Sequence, residues 1–236
     1  MPFFIVIIPR GFKRFFSIFS REIKLMKKHT TRYIAYIAVL TAMAFALMIF
    51  PHLPILPAFS FLEFDFADVP IAFAGLVFGP ISAVITSVLK VTLYFICGFS
   101  KTSGVGELSN LIVSLAFGLS VSLIYNLRRT RGTLIAAFIF GIVIEVIIAM
   151  LSNWFIIVPL FIKLNAAFAF LKSAEYIFAG VLPFNLIKFG AQAMIGFMLF
   201  KSVEKALPFK TETNKKQVKP EIPADSQCGG QNDIAN

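Results

Sequence analysis

Between Tyr33 and Phe200 the chain returns repeatedly to apolar runs near twenty residues, the length an α-helix needs to cross about 30 Å of hydrocarbon at 1.5 Å per residue. Inside lipid no water satisfies backbone N–H and C=O groups, so runs of this kind are read as transmembrane helices. Composition agrees, with 58% hydrophobic residues, 14% charged residues and a mean hydropathy of +0.85. The chain reads as an all-α, multi-pass protein of the cell membrane. Its 29 Phe residues suit a lipid-facing surface and apolar pockets. Cys97 and Cys228 match no metal-ligand spacing and read as incidental thiols.

A net charge of +10 invites a nucleic-acid partner, and its distribution argues against one. Residues 1–32 carry eight Lys or Arg against one acid, and Phe12–Ile23 reads as a basic amphipathic helix lying on the membrane surface. The apolar region 69–98 is too long for one simple span and holds Gly79-Pro80 inside it. If it crosses once, the loop and terminal cations divide eleven to nine, which is no bias. If it turns at Gly79-Pro80, seventeen fall on one side and only Lys101, Lys163 and Lys172 on the other. The positive-inside rule then predicts six transmembrane helices, at about 33–50, 68–79, 80–98, 106–127, 133–160 and 176–205, with N- and C-termini cytoplasmic. The second helix is short for a bilayer. The basic charge is thereby topological and lipid-facing. A polar tail, 208–236, is rich in Lys, Pro, Asp, Gln and Gly and cannot build a core.

Residues 51–68 connect the first two spans. Prolines 51, 54 and 57 forbid a continuing helix. Beyond them Phe64 and Phe66 alternate with Glu63, Asp65 and Asp68, which predicts an extended segment with one apolar face. Asp68-Val69-Pro70 reads as an N-cap followed by proline in the first turn. Because the second helix is short, this acidic-aromatic loop dips into the membrane, where irregular backbone survives only if covered or lining a cavity. Phe59–Phe66 therefore reads as a lid.

The polar groups inside the spans are the candidate functional residues, since each is costly in hydrocarbon unless used. In Pro183-Phe184-Asn185-Leu186-Ile187-Lys188, Asn185 and Lys188 are three apart and share one helix face. Lys188 lies about a dozen residues into its run, too deep for easy snorkelling. Asn153 and Trp154 sit in the outer half of the fifth span. Trp154 reads either as a ring-stacking residue or as a member of an interfacial aromatic belt. Lys90 and Glu145 lie at similar depth, which predicts that they neutralise each other ahead of any proton relay. Glu107 and Asn110, one turn apart, open the fourth helix and suit either capping or hydroxyl binding. Ala38, Ala42 and Ala46 make one side of the first helix nearly smooth, for close approach of a partner helix or for packing within the chain.

Taken together, Leu62-Glu63-Phe64-Asp65-Phe66-Ala67-Asp68-Val69-Pro70, Phe78-Gly79-Pro80, Lys90, Gly104-Val105-Gly106-Glu107-Leu108-Ser109-Asn110, Asn153-Trp154-Phe155 and Pro183–Lys188 resemble the riboflavin-specific S component of energy-coupling factor (ECF) transporters. The likeness runs from about Thr31 to Leu207. It implies a six-helix substrate-binding protein that holds the flavin ring through Asn153, Asn185 and Lys188, with the Leu62–Phe64 segment beside them. It also implies docking of Ala38 and Ala42 on a transmembrane T component that bears two ABC-type ATPase subunits. The long N-terminal extension departs from the family pattern, as does Trp154, where a smaller aromatic residue is expected.

The chemistry fits this mapping. A carboxamide offers both donor and acceptor, as does the uracil-like edge of a flavin, and Lys188 adds donors. Trp154 or the loop phenylalanines can stack on the ring. A phosphorylated flavin calls for an arginine cluster or a glycine-rich turn, so the free vitamin is expected, as cargo and not as cofactor. Gly98–Thr102 lacks the glycine spacing of a phosphate loop, and no Walker motif occurs, so ATP hydrolysis is expected in partner subunits. Two other readings remain: an S component for a different vitamin, and a stand-alone carrier coupled to protons through Glu145. An intramembrane enzyme has little to work with, because His29 and His52 lie outside the spans and no Gly-x-Ser-x-Gly appears.

Overall fold

A computed structural model of the chain describes residues 30–50, 53–54, 62–165 and 170–203, together with positions 18, 20 and 23. The amphipathic helix expected at 12–23, the first part of the Phe59–Phe66 lid and the polar tail fall largely or wholly outside those residues. Helix α1 (Thr30–Ile49) is apolar all round, yet only one stripe is covered: Tyr33, Ile37, Thr41, Ala44 and Met48 are buried at three- and four-residue spacing. A short ladder follows, in which β1 (Leu53–Pro54) pairs antiparallel with β2 (Glu63–Phe64), Leu53 opposite Phe64.

Helices α2 (Asp68–Val77) and α3 (Pro80–Ile96) divide where the sequence predicts. Gly79 has φ 118° and ψ −179°, a region only glycine enters without strain, and Pro80 then opens α3 with its φ already helical. At 10 residues α2 spans only about 15 Å. It is buried on all sides except at Phe73, so it forms the centre of the bundle.

Helix α4 (Val105–Arg128) ends at Arg129, whose left-handed backbone (φ 50°) returns its N–H to the Tyr125 carbonyl. Thr130 and Thr133 then form a reciprocal cap on α5 (Arg131–Ser152). The fifth span continues through a π turn, Asn153–Ile157, into α6 (Val158–Leu164), for 34 helical residues in all. The sixth opens on a second π turn, Tyr176–Val181, and runs into α7 (Leu182–Val203). Among the described residues, four spans are long and apolar enough to cross a bilayer by themselves, and α2 and α3 are shorter apolar helices.

Hydrocarbon provides no hydrophobic drive between helices, so close packing of small residues has to hold them. Gly75 on α2 shows how tight this is. A Cβ there would lie 2.8 Å from Ser122 Cβ and 3.3 Å from the Gly118 carbonyl, both on α4. That approach lets Ser122 Oγ and Asn126 Nδ2 donate to the Gly75 carbonyl at 2.7 and 3.1 Å. Gly75→Val is therefore expected to separate α2 from α4 and cost about 2–4 kcal/mol, since overpacking and two lost hydrogen bonds combine. The measurement is a thermal melt in detergent, with Gly132→Val, where a Cβ meets nothing within 4 Å, as the neutral comparison.

Candidate substrate-binding site

Both π turns precede a proline, Pro159 in the first turn of α6 and Pro183 in the first turn of α7. Each proline lacks an N–H and crowds the carbonyl four residues back, so the helix widens just before it. Each widened stretch lies beside an asparagine. Asn153 Nδ2 donates to the Ala149 carbonyl at 2.8 Å, and Asn185 Nδ2 donates to the Val181 carbonyl at 2.8 Å. A carbonyl only accepts, so these bonds settle which way each amide faces. Asn153 Oδ1 accordingly points at Tyr176, whose hydroxyl donates to it at 3.2 Å and ties the two π turns together. Each amide keeps a second N–H and lone-pair capacity for a ligand.

These residues line a cavity of about 130 Å³ at the end of the bundle opposite Arg128–Arg131. Leu62, Glu63 and Asp65 come from the loop, Glu107 and Asn110 from α4, Asn153 from the first π turn, Tyr176 from the second, and Asn185 and Lys188 from α7. Phe161, Phe184 and Tyr94 add aromatic wall. Six of the residues expected from sequence thus meet at one place: Leu62, Glu107, Asn110, Asn153, Asn185 and Lys188. Glu107 accepts from Thr102 Oγ1 at 3.0 Å, and Lys101 reaches Glu63 at 2.8 Å across the mouth.

Three expected residues do not line the cavity. Trp154 is 43% exposed on the outer side of its π turn, because a neighbour of inward-facing Asn153 is carried around the helix axis away from it. Phe64 is buried but packs edge-on against Phe66, with centroids 4.8 Å apart. Lys90 is fully buried behind the wall. Its partner also differs from expectation. Lys90 Nζ donates to Asp68 Oδ1 (3.2 Å), Asn110 Oδ1 (2.8 Å) and Ser114 Oγ (2.8 Å), and is not paired with Glu145. Depth along the membrane matched Lys90 to Glu145, but lateral position gives it to Asp68 on the neighbouring helix.

Asp68 is accordingly no cap: Ala67 occupies that position and no side chain caps the helix. The loop also lacks the single apolar face that its alternation predicts, since Phe64 and Asp65 are both buried. Asp65 is 3% exposed and faces inward, where its carboxylate accepts from Lys188 Nζ at 2.8 Å and from Asn110 Nδ2 at 3.4 Å. Its carbonyl accepts from Gln192 Nε2 at 2.6 Å. A buried ammonium demands a counter-charge, and that demand overrides the apolar face that alternation predicts. Asp65, Asp68, Tyr176 and Gln192 are site residues that the sequence reading misses. The available signal was electrical: two deep lysines require two acids, and the loop holds the nearest surplus.

A family model described as ECF transporter, substrate-specific component, matches residues 32–200. The chain belongs to the ECF transporter substrate-specific component family. This S component is 30% identical over 168 residues to the riboflavin transporter RibU of Staphylococcus aureus, a match covering 70% of this chain and 86% of the relative. It is 30% identical over 159 residues to the riboflavin transporter FmnP of Bacillus subtilis, covering 64% and 81% respectively. A solved structure of the S component of a bacterial ECF transporter superposes with a TM-score of 0.64 at 27% identity, covering 77% of this chain and all of that one. The six-helix fold read from the sequence is that of an S component. S components bind substrate for transport and are not enzymes.

Proposed function

We propose that this S component captures free riboflavin and delivers it inward when docked on an ATP-driven module. The observation that carries the reading is the convergence of Asn153, Asn185 and Lys188 on one aromatic-walled cavity, in a chain whose relatives are named riboflavin transporters. The two orientation-locked carboxamides offer donor and acceptor side by side, which suits the edge of the flavin ring. In this reading Glu107 and Asn110 receive the polyol hydroxyls, and Leu62 covers the ring from the loop.

Charge favours the unphosphorylated vitamin. Both lysines that line the cavity, Lys101 and Lys188, already have carboxylate partners in Glu63 and Asp65, and Glu107 adds a further acid. A phosphate would meet net negative charge there. The cavity is also smaller than the roughly 300–1,000 Å³ typical of ligand pockets, so entry requires the Leu62–Asp65 segment to withdraw and then close again.

In this reading Ala38, Ala42 and Ala46 dock on a transmembrane T component that carries two ABC-type ATPase subunits. All three are exposed on the uncovered face of α1, so packing within the described chain does not use them. Both termini lie in the cytoplasm, on the positive-inside distribution, and the membrane is the bacterial plasma membrane.

The deciding experiment is the absorption spectrum of protein purified from riboflavin-fed cells. A yellow preparation with flavin bands in near-equimolar amount is the expected result, lost in an Asn185→Ala variant. A colourless protein that neither binds riboflavin nor quenches its fluorescence would point to another vitamin. Uptake that persists in cells without any energy-coupling ATPase would instead restore the stand-alone carrier.

A further inference from the structure

Glu145 takes no part in the site described above, yet it is the least satisfied polar group among the described residues. It sits in the middle of α5, fully buried, and neither carboxyl oxygen has a hydrogen-bond partner. Two other buried acceptors near Lys188 are also unmatched, Asp68 Oδ2 and Gln192 Oε1. Helix α7, which packs on α5, carries Lys188, and Lys188 together with Asp68 of α2 supplies the charge nearest to bear on Glu145. Lys90 on α3 and Asp65 on the loop lie one ion pair further away. Helix α4, which packs along α5, carries Lys, Arg, Asp or Glu only near its ends, at Glu107 and Arg128.

The charge count gives this arrangement its meaning. Lys90 pairs with Asp68 and Lys188 pairs with Asp65, at 3.2 and 2.8 Å, so the four groups are balanced while the loop is in place. A fifth, ionised carboxylate would be unbalanced and without donors. A neutral carboxylic acid carries no such penalty, and its O–H is the donor that an unmatched acceptor lacks. Asp65, however, belongs to the segment that must withdraw for a ligand to enter. When it leaves, Lys188 keeps only Asp68 Oδ2 at 4.0 Å, a carboxylate already paired with Lys90.

We infer that Glu145 is a proton-binding site coupled to the loop: it holds a proton while Asp65 is on Lys188, and gives it up to become the counter-ion of Lys188 when Asp65 withdraws. The step balances. The Glu145 O–H bond breaks, its electron pair stays on the carboxylate, and the proton goes to water admitted as the loop opens, so one negative charge replaces the one that left. Loop opening then releases one proton, and closing takes one up.

The test needs no ligand, so its outcome is independent of the riboflavin reading. Infrared spectra of the full chain in lipid nanodiscs report protonated carboxyl groups through their C=O stretch. The wild type is expected to show a band that Glu145→Gln removes. Asp65→Asn, a near-isosteric change that imitates the withdrawn loop electrically, should lose the same band. Asp65→Asn with Lys188→Gln should recover it, because no cation is left to neutralise. The Asp65→Asn, Glu145→Gln double variant should melt at a lower temperature than the two single shifts add up to. A wild-type spectrum unchanged by Glu145→Gln overturns the proposal, as does a band that persists in Asp65→Asn.

Discussion

Lys188→Met protein is expected to emerge without flavin, to bind none when it is added, and to be less stable than wild type by about 3–5 kcal/mol, the cost of breaking a buried ion pair from one side. Lys188 is 3% exposed and its ammonium lies 2.8 Å from Asp65 and 4.0 Å from Asp68. Removing it leaves Asp65 buried without its cation, while Asp68 keeps Lys90. The companion variant separates the two roles. Asp65→Asn together with Lys188→Met removes both charges, so most of the stability should return, whereas flavin binding should not, because the donor proposed for the ring edge is still missing. Thermal melts and fluorescence titrations on the same samples decide it. Recovery of binding in the double variant would show that Lys188 serves only to hold the loop.

Replacing Ala38 and Ala42 together by Leu should reduce riboflavin uptake by cells at least a hundredfold while leaving purified protein able to bind it. Both residues are on the uncovered face of α1, beside exposed Ile34, Val39 and Met43. A leucine there meets lipid in the free protein, so stability should change by no more than about 0.5 kcal/mol. On a partner helix it would hold the backbones apart, and close approach is the main source of association in lipid. Uptake is measured with labelled vitamin, binding by titration. Undiminished uptake would remove α1 from the docking surface. A loss of binding in step with uptake would place the defect in folding.

The two experiments draw on different parts of the molecule, and those parts were unequally visible beforehand. Helix number, the short second span and the turn at Gly79-Pro80 were legible because they follow from length, apolarity and the shortage of backbone partners in lipid, all properties of consecutive residues. So were Asn153, Asn185, Lys188, Glu107, Asn110 and Leu62, polar or loop residues that read as out of place in an oily context or that carry the resemblance. Trp154 and Phe64 show the limit of that reasoning. Being next to a site residue does not place a side chain in the site, because each step carries it around the axis of a helix or to the opposite face of a strand. Loop alternation failed at Asp65 for a related reason: an acid that it assigns to the polar face is held inside by a lysine 123 residues away.

The amino-acid sequence by itself determined that this chain crosses the membrane six times and that several polar groups lie within it, since burial of backbone and charge in hydrocarbon leaves few alternatives. Only the tertiary structure decided who meets whom: Lys90 with Asp68, Lys188 with Asp65, Tyr176 with Asn153, and Glu145 with no hydrogen-bond partner. The physical reason is that depth in a bilayer can be counted along one helix, whereas ion pairs and hydrogen bonds act over about 3 Å sideways, and that distance exists only once the helices have packed.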